Sequence, residues 1–170
     1  ITGAEKQQII IPEGLKPGDT VGLIAPANYT GSSADAEVEY LINKGFNVVY
    51  GKSFEARWYG FGGTDEIRAK DINDMFADKN IKAIFAIRGG YGTIRLVDKL
   101  NYDTIKKNPK IFSGYSDITT LLIAINEKTG LVTYHGPMSS NFKDIPPVTE
   151  ASFNRTFINK EPLNLSLIHI

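Results

Sequence analysis

Apolar runs and amphipathic stretches alternate along the chain, and the alternation predicts its elements. Thr20 to Ala25 is a short apolar run, entered through the turn sequence Leu15-Lys16-Pro17-Gly18-Asp19 and stopped by Pro26, which predicts a buried strand. Ser32 and Asp35 have capping-box spacing, and Val38, Leu41 and Ile42 then share one face of a short helix that Gly45 ends. Phe46 to Tyr50 is a second β-rich run, followed by an irregular loop of aromatic and glycine residues from Phe54 to Gly63. Thr64 is placed to cap a helix that turns Ala69, Ile72, Met75 and Phe76 inward, and Ile81 to Ile87 reads as a third strand. Ile94, Leu96, Val97 and Leu100 predict another short helix, Asn101 to Pro109 is a polar connection, and Lys110 to Phe112 is a fourth strand. Ile118, Leu121, Leu122 and Ile125 recur at helical spacing after Ser116, with Gly130 as the stop and Leu131 to Tyr134 as a fifth strand. From about Asp144 the period fades into prolines and short polar stretches, the pattern of a linker leaving a domain.

Strands that are continuously apolar are buried on both faces. Their alternation with helices predicts an α/β fold, a doubly wound and mostly parallel sheet with helices on both faces, of the flavodoxin-like kind. Ligands of such sheets bind beyond the carboxyl ends of the strands. Pro26-Ala27-Asn28, Arg88 to Gly92, Ser116 and His135-Gly136-Pro137 all follow strand ends, so they converge on one rim.

Composition narrows the chemistry. The 170 residues suit one domain, and a 42% hydrophobic content supplies its core. Nineteen basic residues balance nineteen acidic ones without clustering, which argues against a nucleic-acid partner or a polybasic membrane module. The absence of cysteine excludes disulfides, thiol catalysis and thiolate metal sites. No apolar stretch approaches the roughly 18 residues that span a bilayer. The first residue is Ile1, so the start is expected to have been trimmed of an initiator, a signal peptide or a lipoprotein leader.

Two strand ends open into glycine-containing turns, Arg88-Gly89-Gly90-Tyr91-Gly92 and Gly114-Tyr115-Ser116-Asp117. A serine where a buried strand turns into a helix can hold its hydroxyl exposed, and amides of a glycine turn, with the amide after the serine, can receive a tetrahedral oxyanion. Plainer readings stand beside this one. Ser116 also fits an ordinary helix N-cap, and the glycines also fit a tight turn or an anion cradle. Arg88 and Arg95 fit either a carboxylate grip or surface ion pairs, and Asp117 suits the positive end of its helix. His135, beside Gly-Pro, reads as a hydrogen-bonding pocket wall rather than a base, and His169 lies in a terminal tail. The chain therefore offers a nucleophile and an oxyanion hole without a convincing general base.

Several segments together carry a family resemblance. They are Lys16-Pro17-Gly18-Asp19-Thr20-Val21 with Ala25-Pro26, Gly63-Thr64-Asp65-Glu66 through Arg68, Ala83-Ile84-Phe85 into Arg88 to Gly92, and Phe112-Ser113-Gly114-Tyr115-Ser116-Asp117-Ile118-Thr119 with Tyr134-His135-Gly136-Pro137. From about Leu15 to Met138 the chain resembles the N-terminal half of the LD-carboxypeptidases, serine peptidases that also include microcin C self-immunity hydrolases. The resemblance implies that Ser116 is the nucleophile and that the Gly90 and Asp117 amides form the oxyanion hole. It implies no metal and no cofactor. It further implies a murein peptide substrate, a second domain supplying a glutamate and a histidine, cytoplasmic cell-wall recycling with an exported or lipid-anchored form left open, and a homodimer. Tyr91, Arg95 and His135 are inferred to line the substrate pocket from their place on the rim.

Three segments are expected on this reading: an N-terminal extension over residues 1–14, a nucleophile domain over 15–143, and a linker with a truncated end over 144–170. Residues 166–170 resemble a translated sequencing adapter, so the intact protein is expected to continue for about 100 to 150 residues more. A fragment without the histidine is expected to be inactive alone. Hydrolysis of a peptide-nucleotide antibiotic and noncatalytic anion binding are the alternative functions.

Overall fold

Thr20–Ile24 (β1) and Ile81–Ala86 (β3) lie side by side, and three further strands extend the sheet: Asn47–Tyr50 (β2), Ile111–Gly114 (β4) and Tyr134–His135 (β5). This is a computed structural model, which describes residues 7–31, 35–142 and 144–160. All pairings are parallel and the order is β2-β1-β3-β4-β5. The chain thus winds outward from β1 in both directions, and the switch point falls between β1 and β3.

Side chains along the central strands β1, β3 and β4 alternate between two cores, whereas the edge strands β2 and β5 are largely exposed. Val21, Leu23, Ala83, Phe85 and Ile111 face a layer containing Leu41, from Asp35–Asn43 (α1), with Phe142, Phe153 and Phe157. Ile24, Ile84, Ala86 and Phe112 face Asp65–Ala77 (α2), Tyr102–Lys107 (α3) and Thr119–Thr129 (α4) through Ala69, Ile72, Phe76, Ile105, Leu121 and Ile125. Each large apolar side chain taken fully out of water contributes about 1.5–3 kcal/mol, which is why these runs are strands rather than surface. The fold is therefore the doubly covered α/β sheet expected from the apolar runs. Among the described residues, no helix is long and apolar enough to cross a membrane.

Helix α2 is fixed at both ends. The Thr64 hydroxyl accepts a hydrogen bond from the Ile67 amide at 3.3 Å. At the other end, buried Lys110 donates from Nζ to the Met75 and Asp78 carbonyls, each at 2.7 Å. Burial pulls the Lys110 pKa from 10.5 down to about 8, against the opposing pull of Asp78. The unfolded chain keeps the ordinary value, so the folded state holds fewer protons between those limits. The associated stability is fully present above about 10.5 and lost as pH falls through about 8. Raising the pH across this window should therefore raise the denaturation midpoint of the wild type relative to a Lys110→Met variant; a pH-independent difference between the two would contradict it.

The differences from the sequence reading have local causes. Asn101 to Pro109 contains α3, capped by Asn101 Oδ1 accepting from the Thr104 amide at 3.0 Å, and its one buried residue, Ile105, gives no visible period. The helix after Gly92 is a 3-10 helix, Thr93–Lys99. On α1, Leu41 is buried but Ile42 faces out. Leu131 pairs with Ile10 of the N-terminal stretch instead of starting β5, which is confined to Tyr134–His135. The capping role read for Ser32 lies outside the described residues. Beyond Asp144, where no element is legible, Pro147–Phe153 (α5) and a π-helical extension, Asn154–Asn159, bury Phe153 and Phe157 against Phe85.

Candidate active site

Strand β4 ends at Gly114, Tyr115 stays extended, and Ser116 then takes φ +59° before the chain enters a 3-10 turn, Ser116–Ile118, and α4. A left-handed backbone is strained for any residue with a Cβ, and it concentrates where the surrounding structure needs it. Here it leaves Ser116 exposed at the carboxyl end of the sheet. No helix-capping hydrogen bond is made by the side chain of Tyr115 at the turn's N-cap, and the turn is entered through a residue in the left-handed region rather than through a capping serine.

The turn after β3 lies against this serine. A Cβ added to Gly89 would stand 3.0 Å from Ser116 Cβ and 3.2 Å from its Oγ, so glycine there leaves the space the hydroxyl occupies. Gly90 follows with φ +136°, a conformation that L side chains rarely adopt. Its neighbour Tyr91 donates its amide to Asn28 Oδ1 at 3.1 Å, which ties the turn to the loop after β1.

Asp117 ties the same turn to the serine's own segment. Its Oδ2 accepts the Thr93 amide at 3.0 Å, and its carbonyl accepts the Thr93 hydroxyl at 2.6 Å. The carboxylate thus latches two loops, in addition to any service to its helix dipole. Arg68 completes the frame from below. Its guanidinium is fully buried and donates to the carbonyls of Gly63 at 3.2 Å, Pro26 at 2.8 Å and Gly92 at 3.2 Å, while pairing with Asp65 at 2.5 Å. Burial draws the Arg68 pKa downward and Asp65 draws it up. One side chain therefore holds the loops after β1 and β3 and the loop before α2.

The remaining residues read from the sequence are distributed around this centre. Arg95 is engaged by Asp65, with Nε 2.9 Å from both carboxylate oxygens, and this hydrogen bond is the main reason the Asp65 pKa is lowered. Arg88 is exposed and reaches the Tyr29 carbonyl at 3.5 Å. Tyr91 is exposed on the rim, its ring 6.3 Å from that of Phe61. His135 is exposed at the end of β5, its ring 6.3 Å from that of Tyr115. Among the described residues no hydrogen bond joins His135 to Ser116. Sequence reasoning missed Asn28 and Arg68 as supports of the site; the placement of Asn28 at a strand end was the available signal for the first, and the Gly63-to-Arg68 segment of the family resemblance was the signal for the second.

A doubly wound sheet that presents a serine on a strained strand-to-helix turn, with a glycine turn against it, is an arrangement suited to nucleophilic acyl transfer. Residues 21–136 match the family model described as the LD-carboxypeptidase N-terminal domain, and the chain belongs to that family. It is 41% identical over 154 residues to a probable murein peptide carboxypeptidase of Bacillus subtilis, covering 88% of this chain and 48% of the relative. It is 38% identical over 144 residues to the microcin C7 self-immunity protein MccF of Escherichia coli, covering 82% and 42%. A crystal structure of an MccF-like protein from Bacillus anthracis superposes with a TM-score of 0.82 at 36% identity, over 87% of this chain and 47% of that one. The chain spans about half the length of the curated relatives it matches.

Proposed function

We propose that the full-length protein is a serine-type LD-carboxypeptidase that removes the terminal D-alanine from murein tetrapeptides, and that this chain is its nucleophile-bearing half. The observation that carries the reading is Ser116 itself, exposed at φ +59° on the turn between β4 and α4 with Gly89 against it. The similarity to a probable murein peptide carboxypeptidase supports this substrate class. Ser116 Oγ attacks the carbonyl carbon of the bond to D-alanine, and the carbonyl oxygen, now negative, is received by the Gly90 and Asp117 amides. The C–N bond then breaks, the departing amine takes up a proton, and water hydrolyses the acyl-enzyme.

The base for these proton transfers is assigned to a histidine oriented by a glutamate in the second half. A serine without such a partner keeps a high hydroxyl pKa and is a poor nucleophile, so this chain alone is expected to be inactive. On this reading Tyr91 and His135, exposed on the same rim, line the substrate cleft, and Arg95 joins them only on releasing Asp65.

The test is substrate profiling of the full-length protein. A murein tetrapeptide ending in D-alanine should release it, and the epimer ending in L-alanine should not. The similarity to the microcin C7 self-immunity protein favours one second reading, cleavage of an amide in a peptidyl nucleotide. Turnover of that compound with none of the tetrapeptide would select it, and inertness towards both would overturn the hydrolase reading.

A further inference from the structure

We propose that Asn28 is a positioning residue for the oxyanion hole, acting by fixing the peptide between Gly90 and Tyr91. The inference rests on the reading of Ser116 as nucleophile and of the Gly90 amide as an oxyanion donor. Three of the four residues from Gly89 to Gly92 are glycine, with φ +136° at Gly90 and +99° at Gly92, so this turn has almost no side chains with which to hold its own peptide planes. Glycine backbone is also the most mobile available. An oxyanion donor, however, must sit within a few tenths of an ångström of its working position. External contacts have to set the orientation.

Three such contacts from side chains are present among the described residues, and they divide the work. Arg68 grips the Gly92 carbonyl and Asp117 grips the Thr93 amide, both downstream of the critical peptide. Only the third, Asn28 Oδ1 accepting from the Tyr91 amide at 3.1 Å, acts on a peptide that Gly90 itself forms. The carboxamide also packs closely against Gly90: a Cβ built there would fall 2.2 Å from Asn28 Cγ and 2.5 Å from its Oδ1. Contact on one side and a hydrogen bond on the next peptide restrain both rotations at Gly90.

Asn28 is itself held before any substrate arrives. It bridges Phe61, while Tyr29 donates its amide to the Gly60 carbonyl at 2.9 Å and Gly62 donates to the Ala27 carbonyl at 3.0 Å. The loop after β1 is therefore clamped by the short hairpin Trp58 to Phe61, whose backbones exchange hydrogen bonds at 3.2 and 3.0 Å. The clamp lies at the switch point between β1 and β3, so the strand order brings the asparagine to the glycine turn.

The experiment compares wild type, Asn28→Ala and Asn28→Ser in the full-length protein. It measures kcat and KM for D-alanine release, affinity for an alkylboronic acid that forms a tetrahedral adduct on a serine Oγ, and the thermal midpoint. Loss of the acceptor should lower kcat by about 10- to 100-fold with KM within about threefold, and weaken the boronate by a similar factor. Asn28→Ser gives the same reading if the alanine variant does not fold. A kcat within threefold of wild type, or a fall in kcat with unchanged boronate affinity, overturns the proposal. Ser116→Ala measured alongside separates the two levels: turnover by that variant removes the underlying reading, whereas a silent Ser116→Ala beside an unimpaired Asn28→Ala removes only the role of Asn28.

Discussion

Ser116→Ala in the full-length protein is expected to lower D-alanine release by about 10⁴-fold or more without unfolding it, because a nucleophile cannot be replaced by positioning alone. The same position gives a second readout that tests the geometry independently of the chemistry. Ser116 holds φ +59°, where a Cβ crowds the backbone at a cost of about 1–2 kcal/mol. Ser116→Gly should therefore be as inactive as Ser116→Ala but more stable than it, by about 1 kcal/mol. Alanine keeps the Cβ and the strain, and glycine relieves it. Turnover of Ser116→Ala within tenfold of wild type would sink the nucleophile assignment, and a glycine variant less stable than the alanine one would contradict the strained turn.

Arg68→Met should produce the largest loss of stability, about 3–5 kcal/mol, since removing one member of a buried pair strands the other. Asp65 retains Arg95, which moderates the effect at the carboxylate. The Gly92 carbonyl keeps the Arg95 amide at 3.3 Å, but among the described residues the carbonyls of Pro26 and Gly63 have no such substitute for the donors they lose. Against a typical stability of about 5–15 kcal/mol, such a loss is a large fraction of the whole. Arg68→Lys should recover little, because a single compact ammonium cannot reach the three carbonyls and the carboxylate that the planar guanidinium fork spans. Urea unfolding of the variants decides the matter; a loss below 1 kcal/mol would show that water replaces the guanidinium.

The centre of the sheet was legible because β1, β3 and β4 are short apolar runs bounded by proline, glycine and polar turns, and burial on both faces leaves little freedom in reading them. Helix α4 was legible from a clean period, Ile118 through Ile125. What escaped were elements whose stability comes from elsewhere in the molecule. Helix α3 has one inward residue, and Leu131 is drawn from β5 to pair with Ile10, a contact no local pattern encodes. Phe153 and Phe157 stand one helical turn apart, yet neighbouring prolines and polar residues hide them until Phe85 is seen beneath. The site divides the same way. Ser116 and its glycine turn lie at strand ends and could be read as a motif, whereas the pair Asp65 with Arg95 and the reach of Arg68 across three loops exist only once α2 has packed.

The aromatic cover over Phe85 also governs how the chain meets the cell while it is being made. The central pairing of β1 with β3 is complete once Ala86 has left the ribosome, but one face of that pairing is sealed by Phe142, Phe153 and Phe157. At synthesis rates of roughly 5–20 residues per second, several seconds separate the two events. During that interval Val21, Leu23, Ala83 and Phe85 have Leu15, Leu41 and Phe46 to pack with but lack the cover of these three later phenylalanines. Chaperone dependence and loss to aggregation during translation should therefore track the codons between β3 and Phe157 more closely than those that encode the catalytic turn.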